Sequence, residues 1–436
     1  MTQTHQRPAQ EITVIGIDIG KDVFHLVGFD NQGKIAFRRK IKRLALIDTF
    51  KALPACVVGM EACLSAHFVA RTLRKLGHEP RIIPAKYSKP FVKGQKNDYN
   101  DAEAIAEAAL RPNLRTVREK TQEELDLQAY HRIRSRLVSR RTATINQIRA
   151  FLIEQGITVR SGAHALRASL FQILKNRADE ISPRMSDLIV GLYEDWLWLD
   201  ERIEAITAEI EKIAAEEASC QRLMSVPGVN VIVASTFMAA VGDIDRFKNP
   251  RKLVGYLGLD PRVRQSGPGP ATHGHISKRG STRARHALVE ACWTTVRQPG
   301  PLHAFYQRVR GRRGHSVAIV AAARKLACLF WCLLTRDEDY AYQQPSLTKK
   351  KLRRLEIAAG APKYSPEASG IWAANDAMRQ AELELARQAE VAYARTVRDY
   401  HAAQAGKTEK VGASVTPGHA SNRPSKGNAA RQTTSP

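Results

Sequence analysis

Four carboxylates in the first quarter of the chain are placed to hold a divalent cation: Asp18 in VIGIDIGKD, Glu61 in VVGMEACLSAH, and Asp98 with Asp101 in KNDYNDAEAIAEA. Asp18 follows Val14, Ile15 and Ile17 and so lies toward the end of a first strand. Glu61 directly follows the apolar run Cys56–Met60. If these two strands are parallel neighbours, both carboxylates emerge at one sheet edge. Asp98 and Asp101 stand three apart at a helix start, hence on one face. Hard oxygen donors of this kind suit Mg2+ or Mn2+. Two such ions about 3.5–4 Å apart can activate an attacking group and stabilise the leaving oxygen of a phosphodiester. Singly, each acid has a plainer reading. Asp101 is what a helix N-terminus attracts, and Asp22 reads as a turn or hairpin residue. The metal reading rests on the four together, in this order and on this strand pattern.

A second stretch carries chemistry of another kind. Between Arg246 and His315 there are 15 Lys and Arg but only two acids, Asp260 and Glu290. Within it, Ser266 sits in the Gly/Pro-rich loop QSGPGP, where backbone can approach a ligand closely. Arg262 and Arg264 precede it, and Lys278, Arg279, Arg283 and Arg285 follow at a helix start; all six could hold phosphates. Ser281, ahead of Thr282 and Arg283, reads as an N-cap. A serine hydroxyl needs activation before it attacks phosphorus. On chemistry alone, Ser266 is better read as a loop hydroxyl making turn hydrogen bonds than as a nucleophile.

The elements that must position these groups follow from pattern. ITVIGIDI and VFHLVGFD are β-branched runs, and NQG at 31–33 signals a hairpin turn into KIAFRRKI. A short helix near Leu44–Leu53, a buried strand ACVVGM, a helix over Ala66–Leu76 and a strand PRIIP follow, and Asp101–Leu110 has helical spacing. Three strands and then alternating strands and helices match the order of a ribonuclease-H-like (RuvC-like) α/β domain over 11–117. Residues 118–219 read as helical: one long amphipathic stretch from Thr121, a break at Gly156–Gly162, then LYEDWLWLDERIEAITAEIEKIAAEEAS. Its Leu199, Ile203, Ile206, Ile210 and Ile213 form a coiled-coil-like seam. Packing within its own domain and dimerisation are both open readings of that seam. Residues 220–335 form a mainly α unit that starts with LMSVPGVNVIVAS, a helix, Pro-Gly turn and helix. Such a turn can aim N–H groups at a phosphate, or be a simple helical hairpin. From 345 to 436 the chain reads as a polar, largely disordered tail with one helix in AANDAMRQ…DYHAAQ.

Composition limits the partners. The formal net charge is +25, from 68 Lys and Arg against 43 Asp and Glu, and a polyanion is its simplest counterpart. The longest apolar stretch, near Cys328, is interrupted by Arg324 and Lys325, so no membrane span is expected. The N-terminus lacks a signal pattern, which leads to an expectation of cytoplasmic residence. Six scattered cysteines without a CxxC pair argue against zinc or a disulfide framework and read as small core residues.

The segments GIDIGKD, GMEAC, AKYSKPFVKGQKNDYNDAEAIA, SVPGV and GYLGLDPRVRQSG…ISKRGSTRAR together resemble the insertion-sequence transposases of the IS one-ten family, over about Ile12–Thr335. That resemblance implies a RuvC-like DEDD domain whose acids fall on Asp18, Glu61, Asp98 and Asp101. It implies a C-terminal transposase domain whose nucleophile falls on Ser266. It also implies recombination of DNA (element ends and target) through a covalent phosphoserine, with bound Mg2+ (or Mn2+) and a site completed across protomers of a homodimer or higher homo-oligomer. Guidance by a structured RNA of the element is implied as well. Two other readings of the residues compete. One is a RuvC-like endonuclease or junction resolvase using activated water; the other is a nucleic-acid-binding protein without catalysis.

Overall fold

The computed structural model describes residues 12–95, 97–363 and 376–412. The chain divides into two compact units, 1–126 and 127–436.

The first unit is built on a five-stranded mixed sheet in the order β3-β2-β1-β4-β5. Strands β1 (Ile12–Ile19), β2 (Val23–Asp30) and β3 (Ile35–Lys42) form an antiparallel meander, while β4 (Val57–Glu61) and β5 (Glu79–Ile83) run parallel to β1. The succession of strands and helices along the chain is the one the sequence pattern predicts, and the parallel β1–β4 pairing meets the condition set for Asp18 and Glu61. The β2–β3 turn closes because Asp30 accepts the backbone N–H groups of Gln32 and Lys34, both at 2.9 Å, and Gly33 takes φ +76°.

Alternation along the strands separates two faces. Ile15, Ile17, Phe24, Leu26, Val58 and Met60 pack with Phe50 of α1 (Leu46–Lys51) and Leu73 of α2 (Ala66–Lys75). On the other face Val14, Val27 and Phe29 meet Ala102, Ile105, Ala106 and Ala109. These four belong to a helix, Asp98–Ala109, that follows the short α3 (Ala85–Ser88) and is α4 here. Glycine is required beneath it. A Cβ on Gly16 would stand 2.0 Å from the Ala102 carbonyl oxygen, and one on Gly59 2.8 Å from the Ala109 methyl. The alanine-rich face of α4 therefore lies almost on the sheet backbone, which fixes where its first turn ends up.

Among the described residues, the second unit is helical apart from one two-stranded hairpin. Helices α5 (Gln122–Glu154), α6 (Ala163–Asn176) and α7 (Pro183–Glu216) share a core of Ile148, Leu152, Leu166, Leu170, Ile189 and Trp196. The sequence reading placed only a break before the second long helix. The structure inserts α6 there and starts α7 at Pro183, with Ser182 as its N-cap. Leu199, Ile203 and Ile206 of the predicted seam pack on Leu137 and Val138 of α5 in the same chain.

The remaining core gathers α8 (Ala218–Met224), α9 (Val231–Val241), α10 (Pro250–Leu257), α11 (Thr282–Thr295), α12 (Pro301–Arg313) and α13 (His315–Arg336). Helix α13 is long and apolar enough to cross a membrane. Here Ala318, Ala322, Leu326 and Phe330 are buried in this core, with Arg324 and Lys325 exposed. The turn between α8 and α9 is a plain helical hairpin. The N–H groups of Val226 and Val229 are bonded within it, and its carbonyls at Met224 and Val226 accept from Lys351 Nζ at 2.7 and 3.0 Å.

Lys351 lies on α14 (Pro345–Ala358), an ordered helix with Leu355 buried, where a largely disordered tail was expected. The predicted tail helix is α15 (Asp376–Gly412). It is longer than expected and takes in GKTEKVG at 406–412. The rest of the stretch read as disordered, 413–436, lies outside the described residues. Of the cysteines, Cys56, Cys220 and Cys292 are buried, but Cys63 is exposed, contrary to a core role for all six.

Candidate active site

Strand register and helix docking bring Asp18 and Asp98, with His25, within 4.8 Å of one another. Asp101 and Glu61 lie outside that group but near enough to act on the Asp18 carboxyl. β1 and β4 pair with Ile17 opposite Met60, so Asp18 and Glu61 are the next residues along two parallel neighbours. Asp18 has the parity of Val14 and Gly16, and Glu61 that of Gly59; both therefore belong to the α4 face. Asp98 and Asp101 occupy the first turn of α4, whose N-cap Asn97 accepts the Tyr99 N–H at 2.9 Å.

Crowding of negative charge shows in Asp18. Burial raises its carboxyl above the ordinary value of 3.8, and Asp98, Asp101 and Glu61 raise it further, against a smaller lowering by His25. A half-buried carboxyl pushed up by burial and by neighbouring acids is what a divalent cation relieves, so the Asp18 environment fits a hard metal ion.

Three residues that the sequence reading passed over support these acids. His25 stands opposite Asp18 in the β1–β2 register, and its Nδ1 lies 3.4 Å from Asp98 Oδ2. One donor atom each from Asp18, His25 and Asp98 fall within 4.8 Å of one another. The buried Ser88, on α3, donates its hydroxyl to Glu61. Arg43 donates to the carbonyls of Gly20 (2.8 Å) and Lys21 (2.7 Å) and to Ser65 Oγ (3.1 Å), and its guanidinium lies 4.8 Å from the centre of the Phe24 ring. It thus ties the turn after Asp18 to the loop after Glu61. The only sequence signal for His25 is its offset from Asp18 across a short turn; Ser88 and Arg43 give none.

The raised Asp18 carboxyl has a signed consequence. The folded state holds that proton more tightly than the unfolded chain does. Its stabilising contribution is present below about pH 3.8 and is lost as pH rises through the folded value. In EDTA at neutral pH, Asp18→Asn should therefore melt above the wild type, and the gap should close toward pH 4. A saturating divalent cation should reverse the order, since a ligand at 100 times its Kd adds about 2.7 kcal/mol to the wild type alone. An Asn variant that melts below metal-free wild type at neutral pH would contradict this.

Ser266 lies outside any fold core. Strands β6 (Pro261–Arg264) and β7 (Thr272–Ile276) form an antiparallel hairpin, and the loop predicted from its glycines and prolines is the hairpin tip. Ser266 is exposed there, and among the described residues none hydrogen-bonds its hydroxyl. The turn hydrogen bonds expected of it are absent; Gln265 instead donates its amide to the Gly269 carbonyl at 3.0 Å. The hairpin base is fixed by Ser277, which bonds Asp260 through its N–H (2.7 Å) and hydroxyl (2.6 Å). Gly258 and Gly280, both at positive φ, let the end of α10 and the strand exit touch; a Cβ on either would stand 2.0 Å from a carbonyl oxygen.

The basic residues divide by what they touch. Arg262, Arg264, Lys278, Arg279 and Arg283 are exposed, and Ser281 caps α11 as expected. Arg285 differs. Its guanidinium donates to the carbonyls of Leu257, Arg279 and Gly280 at 3.1, 2.6 and 3.2 Å, which makes it a brace for the hairpin base rather than a free phosphate ligand. Accordingly, Arg264→Ala should leave the melting temperature unchanged and reduce the salt dependence of DNA binding by about one counterion. Arg285→Ala should instead destabilise the unit by about 1–3 kcal/mol, through carbonyls left unpaired. Thermal melts and salt titrations of binding separate the two; equal behaviour would contradict the division.

Known proteins share these segments. Residues 220–307 match the family described as Transposase IS116/IS110/IS902 family, and residues 15–155 match the family of DEDD transposases named for IS110. The chain is 40% identical over 339 residues to the transposase for insertion sequence element IS1111A of Coxiella burnetii, covering 77% of this chain and 93% of that protein. It is 39% identical over 331 residues to a probable family 20 transposase of Pseudomonas aeruginosa, with coverage of 75% and 98%. It is 34% identical over 334 residues to the transposase for insertion sequence element IS1328 of Yersinia enterocolitica, with coverage of 76% and 99%.

Proposed function

This chain belongs to the IS116/IS110/IS902 family of transposases, and from that premise we propose that it cuts and rejoins DNA at the ends of its insertion sequence through a covalent phosphoserine. Asp18, Glu61, Asp98 and Asp101 hold the divalent cation, Mg2+ or Mn2+. When bound, it neutralises charge that develops on phosphate oxygens.

Ser266 supplies the attacking oxygen. Its Oγ forms an ester bond to phosphorus, one P–O bond to a deoxyribose breaks, and the proton given up by the serine balances the one gained by the departing sugar oxygen. Attack on the phosphoserine by a hydroxyl of another DNA end reverses these steps and restores the serine. Phosphodiester bonds are conserved in number, so no energy-rich cofactor is required.

The observation that carries this reading is Ser266 itself: an exposed hydroxyl without a partner among the described residues, at the tip of a hairpin clamped at its base and flanked by Arg262, Arg264, Lys278, Arg279 and Arg283. Resolution by activated water is the second reading. It is favoured by the lack, among the described residues, of a base hydrogen-bonded to Ser266.

A structured RNA encoded by the element guides the reaction by pairing with donor and target DNA, and the +25 charge supports polyanionic partners. The protein acts in the cytoplasm as a homo-oligomer. Leu188, Leu197 and Trp198, exposed on α7, support the association. Recombination of element-end DNA by protein with its co-purified RNA should cease in EDTA, return with Mg2+ or Mn2+, and cease after ribonuclease treatment. Undiminished recombination by RNA-free protein would overturn the guidance, and cleavage in EDTA would overturn the metal role.

A further inference from the structure

We infer that His25 is a ligand of the cation held by the acidic centre, converting an all-oxygen donor set into a mixed nitrogen–oxygen set that favours Mn2+ over Mg2+. This rests on the metal reading of that centre and adds a ligand to it. Strand register places His25 directly opposite Asp18, and its parity with Val27 and Phe29 puts it on the α4 face, beside the first turn of that helix.

The distances are compatible with shared coordination of one ion. His25 Nδ1 and Asp98 Oδ2 are 3.4 Å apart, beyond the usual N–H···O range of about 2.7–3.2 Å. Two donors in adjacent positions on one octahedral cation, each at roughly 2.1 Å, stand about 3 Å apart. The 4.8 Å limit that encloses donor atoms of Asp18, His25 and Asp98 leaves room for such an ion among them.

The ring is also held in place. Its side chain is 12% exposed, and Tyr99 meets it edge-on, with centroids 4.9 Å apart and planes at 75°. Tyr99 is the residue after Asp98, so docking of α4 sets the acid and the imidazole together. Mg2+ selects oxygen and holds its waters, whereas Mn2+ accepts imidazole nitrogen more readily. An imidazole at this position therefore discriminates between the two ions that the acids alone would both accept.

The test uses full-length protein, stripped of metal and loaded with less than one equivalent of Mn2+. Electron spin-echo modulation should show the coupling of a directly bound imidazole 14N, and the pattern should change to that of 15N when histidine is labelled. The coupling should vanish in His25→Gln and in His25→Asn, with two variants guarding against misfolding of one. Calorimetric titration should show Mn2+ binding weakened about tenfold in the variants and Mg2+ binding changed by less than about threefold. Mn2+ bound without nitrogen coupling, coupling that survives both substitutions, or equal loss of both ions would overturn the assignment of His25 while leaving the acidic centre a metal site. Failure of the wild type to bind Mn2+ at all would overturn both.

Discussion

Full-length protein carrying Ser266→Ala is expected to fold and bind DNA like the wild type, yet to lose strand exchange by on the order of 10^4-fold or more, the scale seen when a nucleophile is removed. The fold should not register the change. Ser266 is exposed at the hairpin tip and contributes no hydrogen bond to it, while the base is held by Asp260, Ser277 and Arg285. Melting temperature and the affinity for element-end DNA should therefore match wild type. If activated water were the nucleophile, the same variant would cut DNA at close to the normal rate. A conservative Ser266→Cys helps separate the cases, since a thiol can attack phosphorus but leaves a different linkage.

The second large effect is expected from Glu61→Gln, which keeps the shape at the end of β4 and removes one charge. The amide can still accept the Ser88 hydroxyl, so local packing survives. Loss of one carboxylate from the cluster around Asp18 should weaken binding of the divalent cation and lower cleavage by about 10^2–10^3-fold, the range typical of removing one group that stabilises developing charge. Binding of DNA should be retained. Cleavage within about threefold of wild type for both Glu61→Gln and Asp18→Asn would instead contradict a catalytic role for the acidic cluster.

Much of this was legible in the chain itself, for identifiable reasons. The β1–β3 meander is encoded by period-two alternation and by a turn in which Asp30 and Gly33 have local roles, and local signals are what a sequence displays. The convergence of Asp18 with Glu61 was readable because both end apolar runs. That Gly16 and Gly59 permit α4 to lie on the sheet was not, since a close approach between distant segments leaves only a glycine behind.

Helix α6 was missed because a 14-residue helix owes its stability to what Leu166 and Leu170 pack against, and that partner surface comes from α5 and α7. The β6–β7 hairpin looks like a loop in sequence because its strands are four and five residues long and flank glycines and prolines. Ser88 and Arg43 were invisible because their roles depend on which backbone they meet. Arg285 looked like its neighbours Lys278, Arg279 and Arg283 in sequence, and only its three carbonyl partners set it apart.

A covalent bond between this chain and DNA should form at Ser266. Protein with its co-purified RNA, incubated with labelled element-end DNA and Mg2+ and run on a denaturing gel, should give a labelled species that survives boiling in detergent. Protease should remove it, and peptide mass analysis should place the phosphodiester on Ser266. It should be absent in Ser266→Ala. DNA that is cut with no such species, or an adduct that persists in Ser266→Ala, would contradict the account.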